Sequence, residues 1–283
     1  MSSASFSDLL RLQPGPVDLN AMPTNASPGY DGDKKSGKSD LEALGPELFD
    51  LQTRLFAGKN DGGRSLLLVL QGMDTSGKGG TLKHTVGLVD PQGLKITSFK
   101  APTKEELSHD FLWRVRKGVP APGFLGVFDR SHYEDVLIVK VHGFVPPEEV
   151  ERRYGAINDF EAELTEAGTT VLKCMLHISP EEQKKRLLAR LDDPTKHWKY
   201  NPGDLGERAR WGEYRAAYET ALERNNTEHA PWYVIPSDKK WYRNLAIGML
   251  LLETLRRLDP QWPKGDFDVE AERAKLLAQE PIV

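Results

Sequence analysis

The chain has 283 residues, with 38 Lys and Arg against 42 Asp and Glu, a net charge of −4 and one cysteine. That balance excludes wholesale nucleic-acid binding through net charge, so any anion site has to be built by local clustering of cations. One cysteine excludes an internal disulfide. No charged-then-apolar leader opens the chain, and the longest apolar stretch, Leu245–Leu252, is far short of the ~20 residues of a membrane span, so a cytoplasmic, non-membrane protein is expected.

Residues 1–40 are rich in Ser, Gly, Pro, Asp and Lys. Without apolar periodicity they read as a flexible arm, mobile or draped over the surface. Asp40–Phe56 carries Leu41, Leu44, Leu48, Leu51 and Leu55 at spacings of mainly three and four, the apolar face of one helix. Leu66–Leu70 is an apolar run of strand length, and the glycine loop after it leads into a helical pattern from Thr81. Leu94–Phe99 is a second strand. A helix from Pro102 to about Lys117 opens on a capping box, Thr103 with Glu106, and stops at Gly118. Phe124–Phe128 is a third strand, ending in Asp129. Pro146–Ala167 is a helix closed by Gly168, and Val171–Ile178 a fourth strand containing Cys174, read as a buried structural thiol. Ser179-Pro180-Glu181-Glu182 is a strong helix start. Trp232–Ile235 is a fifth strand, and Tyr242–Leu258 an amphipathic closing helix. Alternating strands and helices predict an α/β fold: a five-stranded, mainly parallel sheet covered on both faces, with its site at the carboxyl ends of the strands. The domain is expected over 41–265, with a tail over 266–283.

Three segments fall at those strand ends or close over them. Gly72-Met73-Asp74-Thr75-Ser76-Gly77-Lys78 matches the phosphate-binding P-loop. Backbone N–H groups and a helix N-terminus converge on an anion there, and Lys78 adds a mobile charge. The pattern departs at Gly79, where a Ser or Thr ordinarily helps to hold magnesium. Gly77, Gly79, Gly80 and Thr81 complete the cradle, and Asp74 is placed to orient a hydrated magnesium ion or an acceptor oxygen. The alternative is an ordinary Gly-rich turn. The second segment is Asp129-Arg130-Ser131-His132-Tyr133-Glu134-Asp135. Asp129 stands where P-loop enzymes place a magnesium carboxylate, Arg130 can neutralise a transferring phosphoryl group, and Glu134 and Asp135 can face the acceptor. Against this stand a structural Asp129–Arg130 ion pair and a packed His132. The third segment spans about 184–212. Arg186 and Arg190 share a helix face, Lys196-His197-Trp198-Lys199 is basic and aromatic, and Arg208 and Arg210 follow. This is where a lid closes over phosphates, or else it is a solvated charged helix. Lys83, Lys100 and Lys104 extend the anion path. Trp211, Tyr214 and Tyr218 can stack on a base, with core packing expected for at least two of them. Asn225–Thr227 and Ser237–Lys240 are weaker candidates.

With these residues in view, the chain resembles the polyphosphate kinase 2 family over about residues 45–262. The resemblance rests on Gly72–Thr81, Asp129–Val136 and Lys196–Lys199, and the Gly79-Gly80 departure is itself that family's form of the loop. It implies a three-layer P-loop kinase fold similar to thymidylate kinases, with a helical lid, and phosphoryl exchange between inorganic polyphosphate and AMP, ADP or ATP. Magnesium, with manganese as an alternative, would be held by Asp74 and Asp129, and assembly as a homodimer or homotetramer is implied. Asp74, Lys78, Asp129, Arg130, Arg186 and Arg190 are then expected at the reacting centre. Gly72, Gly77, Gly79, Gly80, Thr81, Lys83, Glu134, Lys196, Lys199 and Arg208 are expected to bind. Thr75-Ser76 replace two alanines common in the family, and Ser131-His132-Tyr133-Glu134-Asp135 is similar to the subgroup acting on both AMP and ADP. The rivals are an ATP-dependent nucleoside or nucleotide kinase and a non-enzymatic phosphate or nucleotide sensor.

Overall fold

A computed structural model describes residues 4–60 and 62–279. Helices α1 (Phe6–Leu10) and α2 (Lys34–Ala57) lead into β1 (Ser65–Gln71) and α3 (Lys78–His84). Then come β2 (Leu94–Ser98), α4 (Lys104–Leu107), α5 (Trp113–Gly118), β3 (Leu125–Asp129), α6 (Ile138–His142) and α7 (Pro147–Glu166). The second half holds β4 (Thr169–His177), α8 (Pro180–Leu191), α9 (Asp204–Ala209), α10 (Trp211–Arg224), β5 (Trp232–Pro236), α11 (Lys240–Leu258) and α12 (Val269–Ala278). The five strands form one sheet in the order β2-β3-β1-β4-β5, and every pairing is parallel.

Side chains alternate across a strand, so the unbroken apolar run of β1 feeds two cores at once. Leu67 and Val69 pack with Phe128, Met175, Phe160 and Tyr218 on one face. Leu66, Leu68 and Leu70 pack with Leu48, Leu55, Leu250 and Leu251 of α2 and α11 on the other. Cys174 lies wholly inside this second layer, and burial pushes its thiol up, away from reactivity. The result is the expected three-layer α/β/α fold. No helix among the described residues is long and apolar enough to cross a membrane.

Three expectations change. The arm is pinned rather than flexible: Phe6, Leu10, Leu12 and Leu19 are buried, and Arg11 bridges antiparallel to Tyr233. Leu12 N–H donates to Trp232 O at 2.8 Å, and Glu253 accepts from the N–H groups of Phe6 and Ser7 at 2.9 Å each. Only Phe6 and Leu10, on the short helix α1, stand at helical spacing; the other anchors are scattered through irregular chain, which hides such a segment from periodicity. Helix α2 begins at Lys34 rather than Asp40, because Asp33 Oδ1 caps the N–H groups of Lys35 and Ser36. The helix expected to run to Lys117 is broken in two. Ser108 Oγ turns back onto Glu105 O and Asp110 Oδ1 takes the N–H of Leu112, so short polar side chains replace helical bonds. The outermost parts of the arm and tail, 1–3 and 280–283, lie outside the described residues, while Val269–Ala278 of the tail is helical.

Candidate active site

Strands β1 and β3 are neighbours in register, with Leu70 opposite Asp129. Their carboxyl ends therefore deliver the phosphate loop and the Asp129–Asp135 segment side by side. The loop needs unusual backbone: Gly72 has φ +150°, Thr75 +63° and Gly77 +117°. A Cβ at Gly72 would sit 2.6 Å from Leu176 O, so the glycine is dictated by close approach as well as by conformation. Arg130 also stands in the left-handed region at φ +63°, a strain typical of functional turns, with its N–H donating to Leu70 O.

The charged groups meet here. Lys78 Nζ donates to Gly72 O at 2.8 Å, curling over the loop it belongs to. Burial, with help from Arg130, holds its ammonium below the ordinary value, while Asp74, Glu134 and Asp129 pull the other way. Arg130 reaches Asp74 Oδ1 at 3.4 Å, and both side chains keep solvent access. Burial alone would lower the Arg130 guanidinium, but Glu134, Asp74 and Asp129 carry it above its ordinary value. Burial raises Glu134 against the pull of Arg130 and Lys78, and raises Asp135 against Arg114 and Arg153, which bind it at 3.3 and 3.4 Å. Two cations and three carboxylates, Asp74, Asp129 and Glu134, thus share one field. The alternative of a structural Asp129–Arg130 ion pair is not the arrangement formed: Arg130 turns to Asp74.

A cleft of about 820 Å³ opens in front of this cluster. Gly72, Asp74, Arg130 and Glu134 line its floor, and Trp211, Tyr214, Tyr218, Phe99, Leu137 and Phe144 its apolar walls. It has room and chemistry for a nucleotide. All three aromatic candidates border it, although Tyr218 is itself buried and accepts from Gly72 N–H at 3.1 Å.

Several expected residues serve elsewhere. Arg186 lies behind the loop, 6% exposed, and its bonds go to the loop and its surroundings. Nε donates to Glu182, Nη1 to the carbonyls of Thr75 and Ser76, and Nη2 to those of Ser237 and Asp238. Its five donors are spent, so it fixes the cradle rather than facing a phosphate. Arg208 donates to Pro180 O and to Gln183 Oε1, and Gln183 in turn donates to Asp74 O, tying α9 to α8 and the loop. Arg190 holds Lys199 O and lies 3.6 Å from Asp204. Lys196 pairs with Asp193 at 2.6 Å, and Lys199 lies over the ring of the exposed Trp198. Both sit on a 3-10 turn, Pro194–Lys199, outside the cleft. Lys83 is exposed on α3, and Thr81 is fully buried. Asn225 is a core residue bonded to Tyr154 O and Asn158 Oδ1.

His132 is likewise structural. It is fully buried against Phe160 and Tyr133, with Nε2 3.2 Å from Glu161 Oε1. Lys173 bonds Glu161 Oε2 at 2.5 Å, Tyr133 OH at 2.9 Å and Asn225 O at 2.7 Å. This sealed network anchors the turn whose next residues, Glu134 and Asp135, face the cleft. Sequence reasoning also missed Arg243, on the first turn of α11, which reads there as one more basic residue of an amphipathic helix.

The donor set suits a hard divalent ion. Asp74 and Asp129 offer carboxylate oxygens beside a phosphate cradle, as magnesium requires when substrate phosphates and water complete its shell. Among the described residues no group of three or more His, Cys, Asp or Glu forms a self-sufficient metal cage.

The family model for polyphosphate kinase 2 (PPK2) matches residues 31–263. An AMP/ADP-polyphosphate phosphotransferase of Meiothermus ruber is 44% identical over 257 residues, covering 90% of this chain and 95% of the relative. An ADP-polyphosphate phosphotransferase of Rhodopseudomonas palustris is 38% identical over 273 residues, with 92% of each covered. The crystal structure of polyphosphate kinase 2 from Arthrobacter aurescens TC1 superposes with a TM-score of 0.95 at 56% identity, covering 98% of both chains. A loop ending in Lys-Gly-Gly, its paired Asp-Arg turn and the match along most of the chain lead to one conclusion: the chain belongs to the polyphosphate kinase 2 family.

Proposed function

We infer that the enzyme moves a phosphoryl group between inorganic polyphosphate and a nucleotide, accepting AMP as well as ADP. The observation that carries this is the meeting of Lys78, Arg130, Asp74 and Asp129 at the ends of two adjacent strands, in front of a nucleotide-sized cleft. The Ser-His-Tyr-Glu-Asp form of the second segment and the AMP/ADP relative support the dual acceptor.

The terminal P–O–P bond of the polymer breaks as a nucleotide phosphate oxygen bonds to the same phosphorus, and the polymer leaves one unit shorter. The acceptor oxygen is already anionic, so no strong base is needed; positioning and charge stabilisation carry the step. The loop N–H groups and Lys78 hold the reacting phosphates, with Lys78 exchanging its bond to Gly72 O for a phosphoryl oxygen. Arg130 leaves Asp74 to meet the equatorial charge. Asp74 and Asp129 would hold magnesium, which when bound would neutralise phosphate charge. Trp211 and Tyr214 flank the nucleotide, and the segment carrying Lys196 and Lys199 closes as a lid against water. The cytoplasm and a homo-oligomer are the proposed setting.

The test is incubation with magnesium and polyphosphate, offering AMP or ADP in turn. Formation of ADP and ATP is the expected result. No product from either acceptor rejects the reading, and product from ADP alone rejects the dual acceptor. ATP with a nucleoside, giving turnover without polyphosphate, would favour the rival kinase.

A further inference from the structure

The back of the phosphate loop carries an uncompensated charge. Arg243 is 3% exposed and lies flat beneath the loop. Its Nη1 donates to Ser76 O at 3.0 Å, the carbonyl that also accepts from Arg186 Nη1 at 2.9 Å. Two further bonds go to its neighbour's side chain, with Nε and Nη2 reaching Asn244 Oδ1 at 3.2 and 2.8 Å. Among the described residues no carboxylate bonds it, whereas Arg186 has Glu182. Burial and the adjacent Arg186 both push the Arg243 guanidinium below its ordinary value. Lys240, one turn earlier, is pushed down by burial and by the same two arginines. The first turn of α11 adds the positive end of a helix to the same spot.

The glycines of the loop fit around this group. A Cβ at Gly77 would overlap the Arg243 guanidinium, and one at Gly80 would lie 2.7 Å from Nη2. At Gly79, by contrast, a Cβ would meet nothing within 4 Å. Two of the three glycines around Lys78 therefore make room for a buried arginine behind the loop rather than for a ligand in front of it.

We propose that Arg243 is a positioning residue for phosphoryl transfer. It fixes the Ser76 peptide so that the loop N–H groups point outward, and it supplies from behind a buried positive charge that an incoming polyphosphate chain neutralises. An isolated buried cation costs stability in the free protein, and that cost is relieved when an anion binds. The proposal rests on the loop being the phosphate site, and the experiment separates the two ideas.

The probe is tripolyphosphate with magnesium, its binding measured by calorimetry and by the rise in Tm it causes in the full chain. In Arg243→Met, binding is expected to weaken at least tenfold and the ligand-induced rise in Tm to shrink, while the Tm without ligand stays level or rises. The KM for polyphosphate should increase more than the KM for ADP. Arg243→Lys, which keeps the charge, should restore affinity to within about threefold of the parent. Unchanged tripolyphosphate affinity in Arg243→Met overturns the proposal, as does an Arg243→Lys variant as weak as the methionine one. A merely structural role predicts the opposite pattern: lower Tm without ligand and unchanged affinity per folded molecule. Should Arg243→Met not fold, Arg243→Gln and Arg243→Lys carry the same comparison, and equal affinity in those two overturns it. A parent that fails to bind tripolyphosphate would overturn the reading of the loop itself, and this proposal with it.

Discussion

The glycines at 77 and 79 stand two residues apart, and the structure assigns them opposite sensitivities. Gly77 has φ +117° and its missing side chain is replaced by the Arg243 guanidinium. Alanine there forces a disfavoured backbone, at about 1–3 kcal/mol, and displaces a buried, hydrogen-bonded group, at about 1–3 kcal/mol more. The sum, about 4 kcal/mol, lowers Tm by roughly 10 °C for a chain of this size. Gly79 is an ordinary helical position in the first turn of α3 with open space ahead of it. Alanine there restricts the unfolded chain and should stabilise by about 0.5 kcal/mol, or roughly 1–2 °C. Scanning calorimetry of the two variants gives the comparison directly. Transfer from polyphosphate to ADP supplies the second readout: a Gly79→Ala enzyme that is fully folded yet slow identifies the open space in front of Gly79 as the substrate's. A Gly77→Ala protein melting within about 2 °C of the parent, or a Gly79→Ala protein melting several degrees lower, would refute the reasoning.

Lys78→Met should leave the melting curve intact and lower kcat by about 10²–10³-fold, as for loss of one preorganised charge contact; near-parental turnover would remove the lysine from the reaction. Lys173→Met strands the Glu161 carboxylate in the core and should cost about 3–5 kcal/mol, whereas Lys173→Met with Glu161→Leu should recover most of it. Additive losses in urea titrations would show that the pair is not coupled. Glu134 has its folded pKa raised, chiefly by burial. A carboxyl raised above its unfolded value of about 4.3 destabilises the fold once ionised: the cost is absent below that pH and complete above the folded value. Glu134→Gln should therefore raise Tm at pH 7–8 and lose that advantage towards pH 4, and a variant less stable at neutral pH would contradict the assignment.

The fold was legible because its determinants are local. The β1 run, the Thr103–Glu106 and Ser179 caps and the apolar spacing of α2, α7 and α11 each state an element without reference to the rest of the chain. The floor of the site was legible for the same reason, since Gly72–Lys78 and Asp129-Arg130 are contiguous motifs at strand ends. Arginines were not. Arg186, Arg190 and Arg208 look alike in sequence, yet burial turns the first into a clamp on four carbonyls and hydrogen bonding makes the other two ties between α8 and the segment that follows it. What a guanidinium does depends on which carbonyls surround it, and those come from residues such as Ser76 and Ser237, about 50 to 110 positions away. His132 shows the same limit: its partner Glu161 lies 29 residues downstream on α7.

The way residues 6–30 are tied down bears on synthesis. Their partners lie near the other end of the chain: Leu12 on Trp232, Thr24 on Asp238, Phe6 on Glu253. During translation this segment leaves the ribosome while those partners have yet to be made, and at roughly 5–20 residues per second it waits on the order of ten to forty seconds. Through that interval the buried anchors Phe6, Leu10, Leu12 and Leu19 are without their pockets. The nascent enzyme therefore completes its last sheet edge only as β5 and α11 emerge, and through the wait before them it is the uncovered apolar anchors of the arm that are open to a chaperone or to a second nascent copy.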